Sequence, residues 1–359
     1  MTLPSQQKAL LLPAAGPGKT FEFGTRPIPQ PGPGQVLIRN AAVALNPVDW
    51  IIRSYGLFVS PYGFPAVVGS DGAGEIAALG PDVQGWKTGE TVLYQCFWNP
   101  DRGTFQEYTI ADAARIARVP DNISVEQAAT IPLGLGTAAI ALYNASSTRC
   151  AGFTAPWEAG GKGKYAGKAA LVIGGSSSVG QFALQVLKLS GFSPIITTAS
   201  ARNEEYCKSA GATHFVDYNA VPYSELASKV AELLGGAPLA VAYDAISIPE
   251  SQKASWAALG SGGTLVVVLE SAIDSPLGET TEDGKKVVHA YGASNGEENL
   301  EFGARMYGKI AGLLESGDIK PNKVEVIPGG LAGIPAGLER LEAKKVSGSK
   351  LVARIADGA

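Results

Sequence analysis

A chain of 359 residues, 45% of them apolar and 17% charged, is long enough for two domains with separate cores. Its net charge of −4, with no basic block, argues against nucleic acid as a main partner and leaves any attraction for phosphate to local groups. Cys96, Cys150 and Cys207 lie too far apart for a disulfide framework or a zinc knuckle, and reduced thiols in a cytoplasmic protein are the simple expectation. The N-terminus lacks a charged n-region and an apolar h-region of adequate length. The longest uncharged apolar stretch, 128–142, is too short to span a membrane and contains Pro132.

Residues 8–120 read as a turn-rich β domain. Strand-like runs at 8–12 and 36–44 flank a Pro/Gly connector at 27–34, 67–79 reads as a glycine-threaded strand pair, and 91–94 and 105–110 add short strands. This spacing predicts a small, strongly bent barrel. Ser124 opens a helix with Gln127 at its capping-box position, and 133–143 reads as a second, buried helix. The segment 144–167 is glycine-rich, polar and aperiodic, which predicts a surface loop. From residue 169 strand and helix alternate. Strands are expected at 169–173, 194–198, 215–216, 239–243 and 263–269, with 286–291 as a sixth, and helices at 181–189, 204–209, 223–234 and 251–258. The pattern is that of an α/β, doubly wound parallel sheet. A helix at 300–316 and strands at 323–327 and 351–355 have no place in a completed nucleotide domain. The C-terminus is therefore expected to return to the first domain.

The turn after the strand at 169–173 carries the chemistry. Set against the dinucleotide fingerprint G-x-G-x-x-G, it reads Gly175, Ser176, Ser177, Ser178, Val179, Gly180, with serine in place of the middle glycine. Gly175 would permit the sharp turn and Gly180 the close packing of helix on strand, while a small residue at Ser177 still lets a pyrophosphate approach the helix N-terminus. A bare glycine pattern can be only a tight turn, but here strand, turn, helix and strand follow in order. The end of the next strand selects the cofactor. An NAD site places an acid there for the ribose 2′-OH, whereas this chain has Ser200, Ala201, Arg202 and Asn203. Ser200 and Asn203 can hydrogen-bond a 2′-phosphate and Arg202 can supply its countercharge, which favours NADPH. The alternative is a helix N-cap at Ser200 or Asn203 beside a solvated arginine.

The order of motifs resembles the medium-chain dehydrogenase/reductase family over essentially the whole chain. The matching residues are Asn46-Pro47-Val-Asp49, Gly69-Ser-Asp71-Gly-Ala-Gly74, Gly103-Thr-Phe-Gln-Glu-Tyr108, the turn at 174–180, and Gly348-Ser-Lys350. The resemblance implies a GroES-like catalytic domain from residues 1–133 and 303–359, a Rossmann domain from 134–302, and an active site in the cleft. Zinc alcohol dehydrogenases of the family place Cys where this chain has the Asn46 segment and Gly-His-Glu where it has Gly69-Ser70-Asp71. The only histidines, His214 and His289, lie in the nucleotide domain. No metal is expected.

Without a Lewis acid, hydride transfer to a conjugated acceptor is favoured over simple alcohol oxidation. The phrase at 198–203 and the insertion at 144–167 look most like the fungal trans-acting enoyl reductases. The expected activity is an NADPH-dependent, zinc-independent reductase of an enone, a 2-enoyl thioester or a quinone, with a carrier protein or synthase as a possible partner. The alternative is a nucleotide-binding family member without turnover, in a structural or regulatory role. The resemblance further implies that residues 176–179 hold pyrophosphate, Tyr218 stacks near adenine, Thr137 and Leu269 flank the nicotinamide end, and Asn46 and Asp49 lie beneath the nicotinamide or order its neighbours. Tyr218 could instead cap the Asp217 turn, Asp49 could be a helix N-cap, and Lys350 could be a plain surface lysine at a strand start. Related enoyl reductases often carry a lysine where this chain has Ile51. That leaves Arg53 to stabilise an enolate and Tyr55 as acid or as a packing aromatic, with solvent as the other proton source. Because 144–167 could cover a sheet edge, a monomer is favoured over a homodimer.

Overall fold

The computed structural model describes residues 3–59, 61–97, 99–145 and 149–358. It divides into two units, Met1–Leu133 with Gly303–Gly317 and Pro321–Ala359, and Gly134–Phe302 with Asp318–Lys320. Among the described residues no helix is long and apolar enough to cross a membrane.

The first unit begins with β1 (Gln6–Leu12), β2 (Glu22–Pro27), β3 (Gln35–Ala44), α1 (Pro47–Tyr55), β4 (Ala66–Val67), β5 (Asp71–Leu79), β6 (Thr91–Gln95), β7 (Tyr108–Asp112), β8 (Ile116–Arg118) and α2 (Val125–Ala129). Strand β3 organises it. It pairs with β5 along most of its length and with β7 through 35–39. The pairing with β5 shifts register twice, between Leu37 and Ile38 and between Asn40 and Ala42. Such irregularities bend a strand and raise its twist, which curls the sheet. Helix α1 is set by sequence at both ends, with Pro47 in its first turn and Gly56 closing it at φ 68°. Helix α2 has the expected capping box, Ser124 with Gln127. The expected strand at 105–110 divides instead. Phe105 and Gln106 join β1, with Phe105 wholly buried, and only Tyr108–Asp112 pairs with β3.

The second unit holds α3 (Pro132–Tyr143), whose first two residues belong to the first unit, then β9 (Ala169–Ile173), α4 (Ser178–Leu189), β10 (Ile195–Ala199), α5 (Glu204–Ala210), β11 (His214–Asp217), α6 (Tyr223–Leu234), β12 (Leu239–Asp244), α7 (Pro249–Ala258), β13 (Thr264–Val267) and β14 (Lys286–His289). The strands are parallel in the order β11-β10-β9-β12-β13-β14. The chain reverses its direction of growth between β9 and β12, where doubly wound sheets bind their ligands. All five residues of β9 are buried, as a strand covered on both faces requires.

The chain then returns to the first unit through α8 (Leu300–Glu315), β15 (Val324–Ile327), α9 (Ile334–Glu342) and β16 (Lys350–Arg354). Strand β16 pairs with β15 and, antiparallel, with the end of β3. The expected C-terminal return is observed, while β2, β8 and α9 are additional elements.

The segment 144–167 has no helix or strand among its described residues, and 146–148 lie outside them. It is more than a surface loop. Phe153, Tyr165 and Phe192 form an aromatic cluster, Trp157 packs on Tyr143, and Cys150 and Ala155 are buried.

Candidate active-site and dinucleotide residues

In the second unit the serine turn leaves β9 and enters α4. Gly174, not Gly175, takes the left-handed conformation, φ 72°, so the sharp turn begins one residue before the expected glycine. Gly175 is required for another reason: a Cβ there would lie 2.0 Å from Thr197 Oγ1. A Cβ at Gly180 would lie 2.2 Å from the Gly174 carbonyl oxygen, so this glycine does allow α4 to close on the turn. Ser177 caps α4, its Oγ accepting from Gly180 N at 3.0 Å. Ser176, Ser177, Ser178 and Val179 are all half-buried around the helix N-terminus, whose first N–H groups the helix cannot satisfy. This cradle fits a pyrophosphate.

At the end of β10, Asn203 Nδ2 donates to Ser200 Oγ at 3.0 Å, and neither side chain caps the helix that follows it. Arg202 is exposed and makes no ion pair among the described residues. Tyr218 is 47% exposed just beyond β11. The Asp217 turn is closed by Asn219, which donates its N–H and its Nδ2 to Asp217 Oδ1, so the Tyr218 ring has no part in capping it. Thr137 is half-buried on α3; its carbonyl accepts from Tyr243 Oη at 2.9 Å, and Gly292 approaches so closely that a Cβ would meet Thr137 Oγ1 at 2.1 Å. Leu269 leaves the sheet beyond β13 and is 47% exposed.

In the first unit, two antiparallel registers bring three distant residues together. Ala44 lies opposite Asp71 in one and opposite Val352 in the other, which carries Asn46 to Lys350. Asn46 Oδ1 accepts from Lys350 Nζ at 2.5 Å, and Asn46 Nδ2 donates to Asp71 Oδ2 at 2.9 Å. Lys350 and Asp71 form an ion pair at 3.1 Å with almost no exposure. Asp71 Oδ1 also accepts from Leu133 N at 2.7 Å. Lys350 is thus no surface lysine, the reading the sequence leaves open for it. It and Asp71 are the residues that sequence reasoning passed over as site members.

Asp49 is fully buried next to this group. Its Oδ2 accepts from Asn46 N at 2.8 Å, as a residue in the first turn of α1 can, while Oδ1 has no hydrogen bond of acceptable geometry. Burial pushes its carboxyl up to about 8; Asp71 adds to the rise, while the Asn46 and Gly69 N–H groups and the Lys350 charge oppose it.

Tyr55 is not part of this group. It ends α1, 71% exposed, nine positions beyond Asn46 and roughly 13 Å of rise away. Arg53 is buried and ion-paired with Glu342, so it is already committed.

Zinc does not fit these donors. Asn46, Ser70 and Asp71 supply an amide, a hydroxyl and one carboxylate, with the Lys350 ammonium already bonded to two of them. Zinc sites use thiolate, imidazole or carboxylate, with three protein ligands even when catalytic. Among the described residues no cluster of three or more His, Cys, Asp or Glu is placed to hold a metal ion.

Residues 32–121 match the alcohol dehydrogenase GroES-like domain and 178–301 the zinc-binding dehydrogenase domain. The chain is 33% identical to a trans-enoyl reductase of Aspergillus niger, over 98% of this chain and 97% of that one. It is 32% identical to a dehydrogenase of Monascus pilosus (99% and 98% covered) and 32% identical to the enoyl reductase component of lovastatin nonaketide synthase from Aspergillus terreus (93% and 92%). Solved structures share the fold. An alcohol dehydrogenase superfamily protein from Novosphingobium aromaticivorans superposes with a TM-score of 0.78 at 22% identity, covering 97% of this chain and 99% of that one. The quinone oxidoreductase from Coxiella burnetii gives 0.72 at 25%, with the same coverage. With both domain types matched, in the expected order, and relatives aligned nearly end to end, the chain belongs to the medium-chain dehydrogenase/reductase family of nicotinamide-dependent oxidoreductases.

Proposed function

We propose that this protein is an NADPH-dependent, zinc-independent reductase of activated C=C bonds, taking an enone or a 2-enoyl thioester. The observation that carries the reading is the polar centre of the first unit. A lysine cation occupies it together with an amide and a carboxylate, in segments where the resemblance implies metal ligands for the zinc members of the family. Carbonyls that need a Lewis acid are poor substrates for such a centre, and acceptors already polarised by conjugation are suitable ones. The trans-enoyl reductases among the relatives, one named as a synthase component, point to a thioester, free or carried by a partner protein.

In this reading the N-terminus of α4 and residues 176–179 bind pyrophosphate, with Gly175 and Gly180 keeping the approach open. Ser200, Asn203 and Arg202 receive the 2′-phosphate, and Arg202 does so as a cation with no ion-pair partner among the described residues. Tyr218 covers the adenine, and Thr137 and Leu269 border the nicotinamide end. A nicotinamide cofactor held by these residues would supply hydride for the β-carbon of the acceptor. Asn46 and Asp49 are the first unit's contribution to this reading, with burial favouring the protonated form of the Asp49 carboxyl. The enolate left on the acceptor takes its α-proton from solvent, since Arg53 is held by Glu342 and Tyr55 stands apart from the polar centre.

The test is purified protein with NADPH and a panel of enones, 2-enoyl thioesters and quinones, followed at 340 nm. Turnover of the conjugated carbonyls is expected, with NADH used less well. Binding of NADPH with no oxidation across the panel would favour a nucleotide-binding role without turnover.

A further inference from the structure

The Lys350–Asp71 pair controls more than the packing of two strands. An ammonium can only donate hydrogen bonds and a carboxylate can only accept them. Placed on either side of Asn46, they dictate which end of its amide faces which way: Oδ1 to Lys350 at 2.5 Å and Nδ2 to Asp71 at 2.9 Å. The backbone of Asn46 in turn donates to Asp49 Oδ2 and accepts from Asp49 N, which begins α1. Among the described residues Lys350 Nζ has no side-chain partner beyond Asn46 and Asp71.

We propose that the Lys350 ammonium serves the reduction as a positioning residue by orienting Asn46 and the start of α1. The inference rests on the reductase reading. Lys350 touches neither substrate nor cofactor in this role. It holds the amide, the amide holds the first turn of α1, and that turn carries Asp49. A misplacement of about 1 Å at a reacting centre can cost about 100-fold in rate, so loss of the cation should appear in turnover rather than in cofactor affinity.

The experiment compares Lys350→Met, Lys350→Arg and the double variant Lys350→Met/Asp71→Asn with wild type on one enone. The double variant removes both charges and so avoids stranding a buried carboxylate, which would put folding at risk. Expected are a fall in kcat of about 100-fold in Lys350→Met and the double variant, an unchanged NADPH Kd, and partial recovery with Lys350→Arg. Two readouts on wild type need no turnover. Lysine-selective 15N NMR should show one slowly exchanging ammonium signal that is lost in Lys350→Arg, and elemental analysis should find no stoichiometric zinc. Wild-type kcat in the folded double variant, a loss of melting temperature with kcat intact, absence of the ammonium signal, or one zinc per chain would each overturn the inference. A wild-type chain that turns over nothing on the panel overturns the reductase reading and the positioning role with it. An active wild type with indifferent variants removes the positioning role alone.

Discussion

At the scale of single residues, Asp49 yields a prediction whose sign follows from its surroundings. Its carboxyl ionises near 3.8 in the unfolded chain and near 8 in the folded one, chiefly because burial disfavours the charge. Between those values the folded state holds one more proton than the unfolded state, so stability falls as pH rises through the window and levels off above it. Asn at this position is a permanent analogue of the protonated acid. Asp49→Asn should therefore gain on wild type in melting temperature from about pH 4 to about pH 8. Parallel curves for the two proteins would mean that Asp49 carries no buried proton. Arg202 gives the cofactor test: Arg202→Ala should raise the KM for NADPH about tenfold or more, the value of a charge-assisted hydrogen bond to the 2′-phosphate, and leave that for NADH nearly unmoved. Equal use of both cofactors by wild type would remove the NADPH preference. Tyr55, exposed and apart from the buried centre, should matter little. Tyr55→Phe is expected to keep kcat within about twofold, whereas a fall of about 100-fold would identify its phenol as the acid.

At the scale of elements, the turn between β9 and α4 is held open by the absence of side chains. A methyl group at Gly180 would have to displace the Gly174 carbonyl, because 2.2 Å is far inside contact distance. Gly180→Ala should destabilise the protein by about 1–3 kcal/mol, the usual cost of overpacking, and should weaken NADPH binding as α4 is pushed off the turn. Calorimetry and a fluorescence titration would measure the two effects, and unchanged values in both would mean that the turn tolerates a side chain. This turn was legible in the sequence because strand, small residues and helix are contiguous there. The parallel strands were legible for a similar reason, each being a short apolar run with its own boundaries. Strand β2 was not, since its residues are exposed or half-exposed and carry little apolar pattern. Helix α9 was hidden by the glycines and prolines before it, although Ile334, Leu338 and Leu341 have helical spacing. The Asn46 centre was half legible. Asn46 and Asp49 lie in one short motif, but Lys350 is 304 residues from Asn46 and meets it only through the pairing of β16 with β3. No local pattern distinguishes a lysine that starts a strand at the surface from one whose strand carries it into a core.

At the scale of the whole molecule, the question is whether the chain works alone. An open parallel sheet offers two edges, and an exposed edge is the natural place for a second copy to add its own strand. In the second unit the edges are β11 and β14, four residues each. The β14 edge is tied to the segment that precedes the sheet: Lys286 Nζ donates to the Cys150 carbonyl at 3.2 Å and reaches that of Ala151 at 3.5 Å. A lysine in an edge strand already discourages pairing, and its engagement by neighbouring chain fixes it there. The segment's aromatic cluster of Phe153, Tyr165 and Phe192 anchors it independently, so the cover does not rest on one contact. We therefore expect a monomer of 37.0 kDa in sedimentation equilibrium at micromolar concentration. Lys286→Ala, which releases the edge from its tether, should leave the mass unchanged if the aromatic anchor is sufficient. A wild-type mass of twice that value would show that the sheet edge, or another face, pairs despite its cover.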